Sequence, residues 1–427
     1  MKDVARVAPR SRRRQRKKKK KRARVATLPN DVVLDILARV ADEVVTLFRC
    51  AVSCKRFRAL VANPSFLRRR WPEGARHPCS LLGFFHDTWI YGTTAFVPVP
   101  RSPLGPWCRS LGSFFPSADE LFHDAVPLAS RSGLLLVFLR TRPDCTDIIE
   151  RRQIRLAVCN PLTGAWDKLP PLHEVSSTMS NAQCAILTGK DHCPTGQQRQ
   201  KPLPRYTTFF KVIVIMVEYS GGPYKIFSFS SAESSWSQPR KCFEHLKYQF
   251  VHANHVVSRG KVHWLIHYSG NFCTLELCAE MGHLSITQFS IPPEFFQTSF
   301  THGPVLSVAT DGDISLIFLH KTYLRLHIFT HRHGDEGRGN GLADVLHTEV
   351  IELKHKPPRT IETLYMYLGE KSAALLVTDR RSFMRTVNLD TGTIDVVTAT
   401  SGNLKEQSVV PFEIDWPAFF MSSLEAH

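Results

Sequence analysis

The sequence predicts two parts of different fold class, a small N-terminal module of three helices and a large all-β domain behind it. Two observations support this division. The hydrophobic period is helical from residue 28 to about residue 70, and beyond residue 78 it changes to short apolar runs separated by turn residues. With 427 residues, of which 43% are hydrophobic, the chain is long enough to bury a large core beside a smaller module.

In the predicted helical module, residues 27–70, the first helix begins near Leu28 and Pro29. Pro29 lies near the first helical position, where its missing N–H costs nothing, and Asn30 and Asp31 lie at the positive end of the helix dipole. About 40 residues are too few for high stability, so we expect this module to need a partner. Apolar residues recur at helical spacing in three stretches, namely Val33, Ile36, Leu37 and Val40, then Val44, Leu47, Phe48 and Ala51, then Phe57, Leu60 and Val61.

The second part, residues 78–420, contains many short apolar runs typical of strands, and no helical period of useful length interrupts them. Small-polar or glycine turns join several of them, as in "NPLTGAW" (160–166), "SSAESSW" (230–236), "TDGD" (310–313) and "LDTGTID" (390–396). The runs are "SLLGFF" (80–85), "LLLVFL" (134–139), "IRLAVC" (154–159), "FFKVIVIMVEY" (209–219), "YKIFSFS" (224–230), "KVHWLIHY" (261–268), "TLELC" (274–278), "ISLIFL" (314–319), "LRLHIFT" (324–330), "TEVIEL" (348–353), "AALLVT" (373–378), "FMRTVNL" (384–390) and "TIDVVT" (394–399).

So long a series of antiparallel strands must protect its sheet edges, and a radial arrangement of four-stranded sheets does this economically. The sequence therefore favours a β-propeller with a blade about every 40 to 50 residues over the alternative, a large two-sheet sandwich. Three stretches read as surface loops that either carry recognition or are tolerated insertions, residues 140–152, 188–205 and 330–344.

The positive charge of the chain is concentrated at its N-terminus. The formal net charge is +17, but residues 1–24 hold 14 Lys and Arg and one acid, so residues 25–427 carry 41 basic and 37 acidic residues, a net of +4. We expect residues 1–26 to form a disordered basic tail, with nuclear import as the favoured use and contact with nucleic acid or anionic lipid as alternatives. The predicted import signal comprises Arg12, Arg13, Arg14, Arg16, Lys17, Lys18, Lys19, Lys20, Lys21 and Arg22.

The sequence argues against membrane, metal and catalytic sites. Its eleven cysteines form no C-x-x-C pair and no signal peptide precedes them, so we expect an intracellular protein with reduced thiols and no disulfides. The apolar runs are far shorter than a membrane helix requires, and no common catalytic or nucleotide-binding motif occurs. His263 and His267 share one face of a predicted strand without a third ligand, so ordinary packing is favoured over metal binding and no cofactor is expected.

Residues 28–67 resemble the F-box. The shared features are the Leu-Pro opening, an acidic residue two places on, an Ile-Leu pair, the "VSCKRF" centre and the closing "NPSF". Phe57 departs from the Trp usual at its position but remains aromatic, and the segment after Val40 lacks a proline that is frequent there. The resemblance implies docking on the Skp adaptor of a cullin-based ubiquitin ligase through Leu28, Pro29, Asp31, Ile36, Leu37, Leu47, Val52, Ser53, Lys55, Phe57 and Leu60.

The second part resembles the F-box-associated propeller regions of plant proteins. "VCNPLTGAWDKLPPL" (158–172) is similar to their recurrent strand-turn-strand, "FSFSSAESSWS", "GKVHWL" and "ATDGDISLIFL" follow in the same order, and "FEIDWPAFF" (412–420) is similar to the closing segment of grass members. The resemblance implies a non-catalytic receptor that binds a protein substrate not identified by the sequence. The basic tail favours a nuclear location, with presence in the cytoplasm as well as an alternative. A nuclear nucleic-acid or chromatin scaffold acting through the tail, and an F-box protein acting outside a ligase, stay open as alternatives.

Overall fold

The computed structural model of the chain describes both predicted parts. The basic tail, with its predicted import signal, and most of the three predicted loops lie outside the described residues. Those residues are 28–40, 44–72, 75–88, 94–100, 102–140, 153–172, 182–191, 209–217, 222–244, 248–278, 282–289, 291–292, 295, 303–309, 311–320, 325–331, 342–343, 345–353, 364–379, 383–399 and 404–425.

The N-terminal module contains the three predicted helices and one more. The "NPSF" segment follows the end of the third helix and begins a fourth helix, which was not predicted. The side chain of Asn63 accepts hydrogen bonds from the N–H groups of Ser65 (2.9 Å) and Phe66 (3.3 Å), and Pro64 occupies the first helical position. The four helices are α1 (Asn30–Val40), α2 (Val44–Ser53), α3 (Lys55–Val61) and α4 (Pro64–Arg70).

The second part is a six-bladed β-propeller, which confirms the predicted fold and excludes the two-sheet sandwich. Each blade is a sheet of antiparallel strands that run from the propeller axis to the outer edge, except that one short strand of blade 4 pairs in parallel and the last two strands of blade 3 both pair with its third strand. Blade 1 has β26 (Leu404–Glu413), β1 (Leu81–Thr88), β2 (Thr94–Pro98) and β3 (Arg109–Ser110); blade 2 has β4 (Val126–Arg131), β5 (Leu134–Phe138), β6 (Leu156–Asn160) and β7 (Ala165–Lys168); blade 3 has β8 (Gln183–Thr188), β9 (Phe210–Val217), β10 (Pro223–Ser230), β11 (Ser235–Trp236) and β12 (Arg240–Glu244). Blade 4 has β13 (Gln249–Ser258), β14 (Lys261–Tyr268), β15 (Asn271–Cys278), β16 (Leu284–Phe289) and the parallel β20 (Leu342–Ala343); blade 5 has β17 (Val305–Val308), β18 (Ile314–His320), β19 (Arg325–His331) and β21 (Val345–Glu352); blade 6 has β22 (Leu364–Leu368), β23 (Ala374–Asp379), β24 (Phe383–Asn388) and β25 (Ile394–Ala399).

The inner strands form a closed ring. β26 contacts β4, and the contacts continue through β8, β13, β17 and β22 back to β26. The ring is completed by pairing the last strand with the first, in a register that places Phe85 opposite Val410 and Gly83 opposite Phe412. Because β26 is the innermost strand of blade 1, closure depends on a segment more than 300 residues from its partner in sequence.

The predicted turns are confirmed where the structure describes them. In "NPLTG", Asn160 Oδ1 accepts hydrogen bonds from the N–H groups of Leu162 (3.0 Å) and Thr163 (3.3 Å), and Gly164 has φ +72°. The "LPP" that follows has its own contact, since Trp236 Nε1 donates to the Pro170 carbonyl at 2.8 Å. This hydrogen bond connects the segment after blade 2 to the outer part of blade 3.

Two expectations about the propeller are wrong. The inner strands of blades 2 to 6 begin at residues 126, 183, 249, 305 and 364, so blades recur at longer intervals than the predicted 40 to 50 residues. A helix also follows the last strand, where none was expected. It covers "WPAFFMSSLE", in which nearly every position is apolar or small, so one-sided helical periodicity is weak. Within the described residues, the α-helices after the module are the short α5 (Asp119–Phe122) and α6 (Trp416–Glu425).

The hydrophobic core lies between blades. Six clusters of buried residues each fill the space between two neighbouring blades, so strands in the middle of a blade are apolar on both faces, as in "LLLVF" of β5. The cluster between blades 1 and 2 differs from the others because it continues into α1–α4 and α6. The helical module and the propeller therefore share one core. Within the described residues, no helix is long and apolar enough to cross a membrane.

A substitution in the closing strand tests the role of that strand in stability. Phe412 is fully buried, with its ring centroid 5.4 Å from that of Phe85 and 6.3 Å from that of Phe96. We expect Phe412→Ala to lower the free energy of unfolding by about 3–5 kcal/mol, measured by urea unfolding. Trp107→Ala is the control, since Trp107 is 76% exposed, and should change it by less than about 0.5 kcal/mol. Equal effects of the two substitutions would contradict this role.

Candidate functional site

The helical module has an exposed apolar surface. Val32 and Ile36 lie one turn apart on α1 and are 40% and 44% exposed, Leu28 lies two residues before α1 and is 54% exposed, and Val52 at the end of α2 is 59% exposed. We call these four residues the apolar stripe. Large aliphatic side chains of such exposure on a small module mark a surface that another protein can cover.

The start of α1 is held against the start of α3. Arg56 Nη2 donates to Asn30 Oδ1 at 2.8 Å and to the Leu28 carbonyl, and Arg56 Nε donates to the same Asn30 oxygen at 3.0 Å. Cys54 caps α3, with its sulfur accepting from the Phe57 N–H. Val52, at one end of the apolar stripe, lies two residues before this cap. The Arg56 contact therefore places Leu28, at the other end of the stripe, on the same side of the module.

The eleven residues of the predicted adaptor contact divide into two groups. Leu37, Leu47 and Leu60 are buried, at 5%, 0% and 7% exposure, and belong to the core shared with the propeller. Their side chains shape the module from within. Val32 was absent from the prediction although its spacing from Leu28 and Ile36 would have identified it. The others reach the surface, fully or partly: Leu28, Pro29, Asp31, Ile36, Val52, Ser53, Lys55 and Phe57.

The opposite side of the module packs on α6 through aromatic rings. The ring of Phe48 lies 6.0 Å from that of Phe419 and 5.7 Å from that of Phe420, and Trp71 stacks on Phe420 at 5.9 Å. Phe420 is fully buried and Trp71 nearly so. Several rings in mutual contact fix the orientation of two elements more strictly than isolated aliphatic contacts do. The module is therefore mounted rigidly on the end of the chain.

Each residue from Glu413 to Trp416, at the junction of β26 and α6, forms a hydrogen bond to blade 6 or to the linker before β1. The Glu413 carboxylate accepts from the N–H groups of Lys371 (3.0 Å) and Ser372 (2.9 Å) in blade 6. The Ile414 N–H donates to the Ser80 carbonyl at 2.8 Å, and Trp416 Nε1 donates to the Cys79 carbonyl at 2.9 Å. We call Glu413–Trp416 the latch.

Asp415 is the charged centre of the latch. Its Oδ1 accepts from the Ala418 N–H (3.1 Å) at the start of α6, and its Oδ2 lies 2.6 Å from Lys190 Nζ and 2.9 Å from Lys371 Nζ. Burial would raise the pKa of Asp415, but the two ammonium groups outweigh it and hold that pKa well below its ordinary value. Asp415 therefore joins blades 3 and 6 to the helix that supports the module.

A second buried ion network lies beside the latch, near the propeller axis. Arg131 at the end of β4 pairs with Asp191 of blade 3, Nε to Oδ2 at 2.8 Å, and with Glu370 of blade 6. Burial of Arg131 would lower its pKa, yet Glu370 and Asp191 raise it, so this guanidinium stays charged. Burial and, to a lesser degree, the charge of Arg131 lower the pKa of the neighbouring His255 to about 3, which keeps that imidazole neutral.

These contacts define two faces of the propeller. The turns that follow the inner strands meet at one face, as shown by hydrogen bonds from the Gly133 N–H to the Glu413 carbonyl (2.8 Å) and from Ser258 Oγ to the Gly312 carbonyl (2.6 Å). The linker behind α4 runs over the same face, where the His77 N–H donates to the Lys371 carbonyl at 2.7 Å. We call it the turn face. The helical module lies on it, and the opposite, open face does not carry the module.

The candidate histidine pair lies in β14, the strand predicted from its sequence. His263 is buried with Nδ1 3.7 Å from Glu276 Oε1, and the half-buried His267 packs its ring 5.6 Å from that of Phe272. Among the described residues no group of three or more His, Cys, Asp or Glu side chains is arranged to hold a metal ion. The described cysteines are unpaired thiols.

Comparison with known proteins identifies the helical module. Residues 25–71 match the protein-family model described as F-box-like. The chain thus consists of an F-box-like domain followed by a six-bladed β-propeller, an organisation that fits F-box substrate-recognition subunits in general. The F-box-like domain indicates an adaptor-type protein, a class that is generally non-catalytic. A comparison with curated proteins finds no relative of similar sequence.

Solved structures similar to this one are remote. TolB from Acinetobacter baumannii is 7% identical with a TM-score of 0.41, covering 77% of this chain and 65%, less than two thirds, of its own. The propeller domain of the Trilobed protease from Pyrococcus furiosus is 7% identical with a TM-score of 0.34, covering 72% and 87%. A mutant of AofleA from Arthrobotrys oligospora is 11% identical with a TM-score of 0.37, covering 79% and 91%. Similarities this weak carry no argument about function.

The charge of Asp415 can be tested through the pH dependence of stability. A carboxyl whose pKa is lowered by folding stabilises the protein above its ordinary pKa, and this contribution is lost as the pH falls through the folded value. Asp415→Asn keeps an oxygen that can cap α6 but removes the charge. We expect it to lower the free energy of unfolding by about 1–3 kcal/mol at neutral pH, and the difference from wild type to shrink in acid below the ordinary pKa of 3.8.

The measurement is urea unfolding of both proteins across this pH range. The exposed Asp395 provides a matched control, Asp395→Asn, expected to change stability by less than about 0.5 kcal/mol. A difference for Asp415→Asn that stays constant with pH would show that the lost stability does not come from the charge.

Proposed function

We propose that this protein is the substrate-recognition subunit of a Skp-cullin-F-box type ubiquitin ligase. The apolar stripe carries the proposal. It lies on an F-box-like domain whose other side is buried against α6, so the exposed side is the one available to an adaptor. Through a Skp-family adaptor the chain would join a cullin.

The chemistry of the apolar stripe suits a helical partner. Aliphatic side chains at successive turns of α1 can enter a groove between helices, while Val52 extends the contact to α2. Polar and charged neighbours such as Asp31, Ser53 and Lys55 are exposed around it and would form the rim of the interface. Buried Leu37, Leu47 and Leu60 would support docking indirectly, by keeping the helices in place.

The proposed mechanism is positional. A receptor that holds a target near a ubiquitin carrier raises the effective concentration of the target lysine and needs no reactive side chain of its own. Rigid mounting supports this role, because the shared core and the latch prevent the propeller from swinging relative to the F-box-like domain. The open face then points in a constant direction, which makes it the face proposed to bind the target protein.

We propose that residues 1–24 act separately, as a nuclear import signal. This segment holds fourteen basic residues, whereas the rest of the chain has a nearly balanced charge. This distribution favours a separate import signal at the N-terminus over a nucleic-acid site built into the propeller. A nucleic-acid or chromatin role of the tail is the second candidate, supported by the same charge. It differs in predicting salt-sensitive binding to nucleic acid that is lost with the tail.

Adaptor binding can be tested with surface and core substitutions side by side. We expect Leu28→Ala/Pro29→Ala and Val52→Glu each to weaken binding to a purified Skp-family adaptor by about tenfold or more while the thermal midpoint changes little, because these side chains are exposed. Leu47→Ala should instead lower the thermal midpoint, since Leu47 is fully buried. The readouts are titration calorimetry and thermal unfolding.

Trp107→Ala, which alters an exposed aromatic side chain of blade 1, is the control and should bind the adaptor as wild type does. If no variant of the apolar stripe weakens binding, or if the wild-type chain does not bind the adaptor, the proposed function is wrong.

Deleting residues 1–24 tests the proposed import signal. We expect a fluorescent fusion of the truncated chain to lose its nuclear accumulation in cells, because the clustered positive charge is removed. Adaptor affinity should stay the same, since the apolar stripe begins at Leu28. Nuclear accumulation unaffected by the deletion would contradict the import role, and salt-sensitive nucleic-acid binding by the full chain alone would favour the second candidate.

A further inference from the structure

A cavity lies on the propeller axis, just inside the turn face. Its walls come from the inner strands of blades 1, 2, 4 and 6 and from the turns that follow two of these strands. We call it the axial cavity. The centres of water-sized groups can occupy about 50 Å³ of it, which is room for several waters or for a compact molecule of about five heavy atoms.

The charged groups that line the axial cavity already have partners. Arg131 is held by the two carboxylates described above, and Lys371 Nζ lies 2.9 Å from Asp415 Oδ2. The Glu413 carboxylate accepts hydrogen bonds from backbone N–H groups, that of Lys371 among them at 3.0 Å. A charged ligand would leave water without gaining an unpaired counter-ion, which is unfavourable. The axial cavity therefore favours an uncharged ligand.

Two polar side chains in the wall have no hydrogen-bond partner among the described residues. One is Ser130 on β4, whose Oγ atom is buried. The other is His255 on β13, which is neutral and so offers one ring nitrogen as a donor and the other as an acceptor. Buried polar groups are normally hydrogen-bonded, so these two favour a ligand that can both donate and accept.

The remaining wall is largely apolar. Leu128, Leu368 and Val410 line it from three inner strands, each two or three residues before a charged lining residue. Because a strand rises about 3.3 Å per residue, these side chains lie about 7 to 10 Å from the charged end, toward the open face. Pockets that combine apolar walls with a few polar groups are typical of binding sites for small ligands. The ligand therefore needs a short apolar stem beside its polar group.

We propose that the axial cavity binds an uncharged carboxamide on a short apolar stem, as in a small aliphatic amide or the side chain of Asn or Gln. Its oxygen and its NH₂ group would bond to Ser130 and His255, and the stem would pack on Leu128 and Leu368. A carboxamide fits better than an alcohol because its acceptor and its donor are separate atoms, one for each wall. The inference goes beyond the proposed function and does not depend on adaptor docking.

The test uses the full chain and propanamide, measured by saturation-transfer NMR of the ligand. Propanoate and propylammonium have similar size but carry a charge, and propan-1-ol replaces the amide by a hydroxyl. We expect propanamide to bind saturably at millimolar concentration, and the other three probes to bind at least about fivefold more weakly.

A second readout locates the binding. With ¹³C-labelled histidine rings, propanamide should shift the signal of His255, which is assigned by its loss in His255→Phe. That substitution keeps a ring but removes both nitrogens, and we expect it to weaken propanamide binding about fivefold or more. Binding that shifts other histidine signals and leaves that of His255 unchanged would place the amide site elsewhere and overturn the inference.

Ser130→Ala removes the buried hydroxyl alone. We expect it to weaken propanamide binding by about threefold or more while the thermal midpoint changes little, because this hydroxyl has no described partner to lose. Ser117→Ala is the matched control, since Ser117 is exposed in the segment between blades 1 and 2, and it should bind as wild type does. Thermal unfolding shows whether each variant is folded, so Ser130→Ala keeps the test decisive if His255→Phe is not.

A capped Gly-Gly-Gln-Gly-Gly peptide distinguishes the two sources of the amide. Tighter binding of this peptide than of propanamide would assign the axial cavity to a protein side chain, and the reverse would assign it to a free small amide. Only the first assignment rests on the proposed function, as it would describe the captured target.

The inference is overturned if neither amide probe binds, which would leave the axial cavity to water. It is also overturned if a charged probe or propan-1-ol binds as tightly as propanamide, or if Ser130→Ala binds propanamide as wild type does. None of these readouts involves the adaptor. Failure of amide binding with intact adaptor docking refutes the cavity assignment alone, and amide binding without adaptor docking refutes the proposed function alone.

Discussion

The closing segment, residues 404–425, is the element on which the rest of the structure depends. Its strand β26 pairs with β1 and completes the ring of inner strands, and its helix α6 forms the base of the F-box-like domain. The latch between them bonds to blade 6, to the linker and, through Asp415, to blades 3 and 6. One continuous segment thus couples closure of the propeller to the position of the helices.

This coupling has a functional consequence. Four short helices bury too little apolar surface to be stable in isolation, so their packing on α6 supplies surface that the module lacks. The same packing leaves the apolar stripe uncovered and holds it at a constant orientation to the propeller. A receptor that acts by holding its target near a ubiquitin carrier benefits from such stiffness. The effective concentration of the target lysine falls when the two binding sites move independently.

Charge is organised differently in each region of the chain. The N-terminal segment carries an excess of positive charge at high density in the sequence, whereas the described ions near the propeller axis are buried and paired. Buried pairs contribute modestly to stability compared with an apolar core, but removing one partner leaves an uncompensated charge. The networks around Arg131 and Asp415 therefore favour one arrangement of the turn face over others.

Much of the architecture could be predicted from local patterns. Helical spacing identified α1 to α3, apolar runs identified strands such as β5, β9 and β14, and glycine turns identified hairpins, because these signals depend on residues close in sequence. Motif resemblance likewise identified the F-box-like segment. The fourth helix was missed although its signal, Asn63 before Pro64, is local and readable as a cap.

The sequence by itself thus determined the order of the parts, the secondary structure of the apolar segments and the isolation of charge in the tail. Only the tertiary structure decided which apolar side chains are available, since Ile36 and Leu37 are adjacent and equally hydrophobic but one is exposed and the other buried by packing on distant elements. Helix α6 and the latch were decided the same way. Their stabilising contacts join residues far apart in the chain, and no local pattern records which distant surfaces will meet.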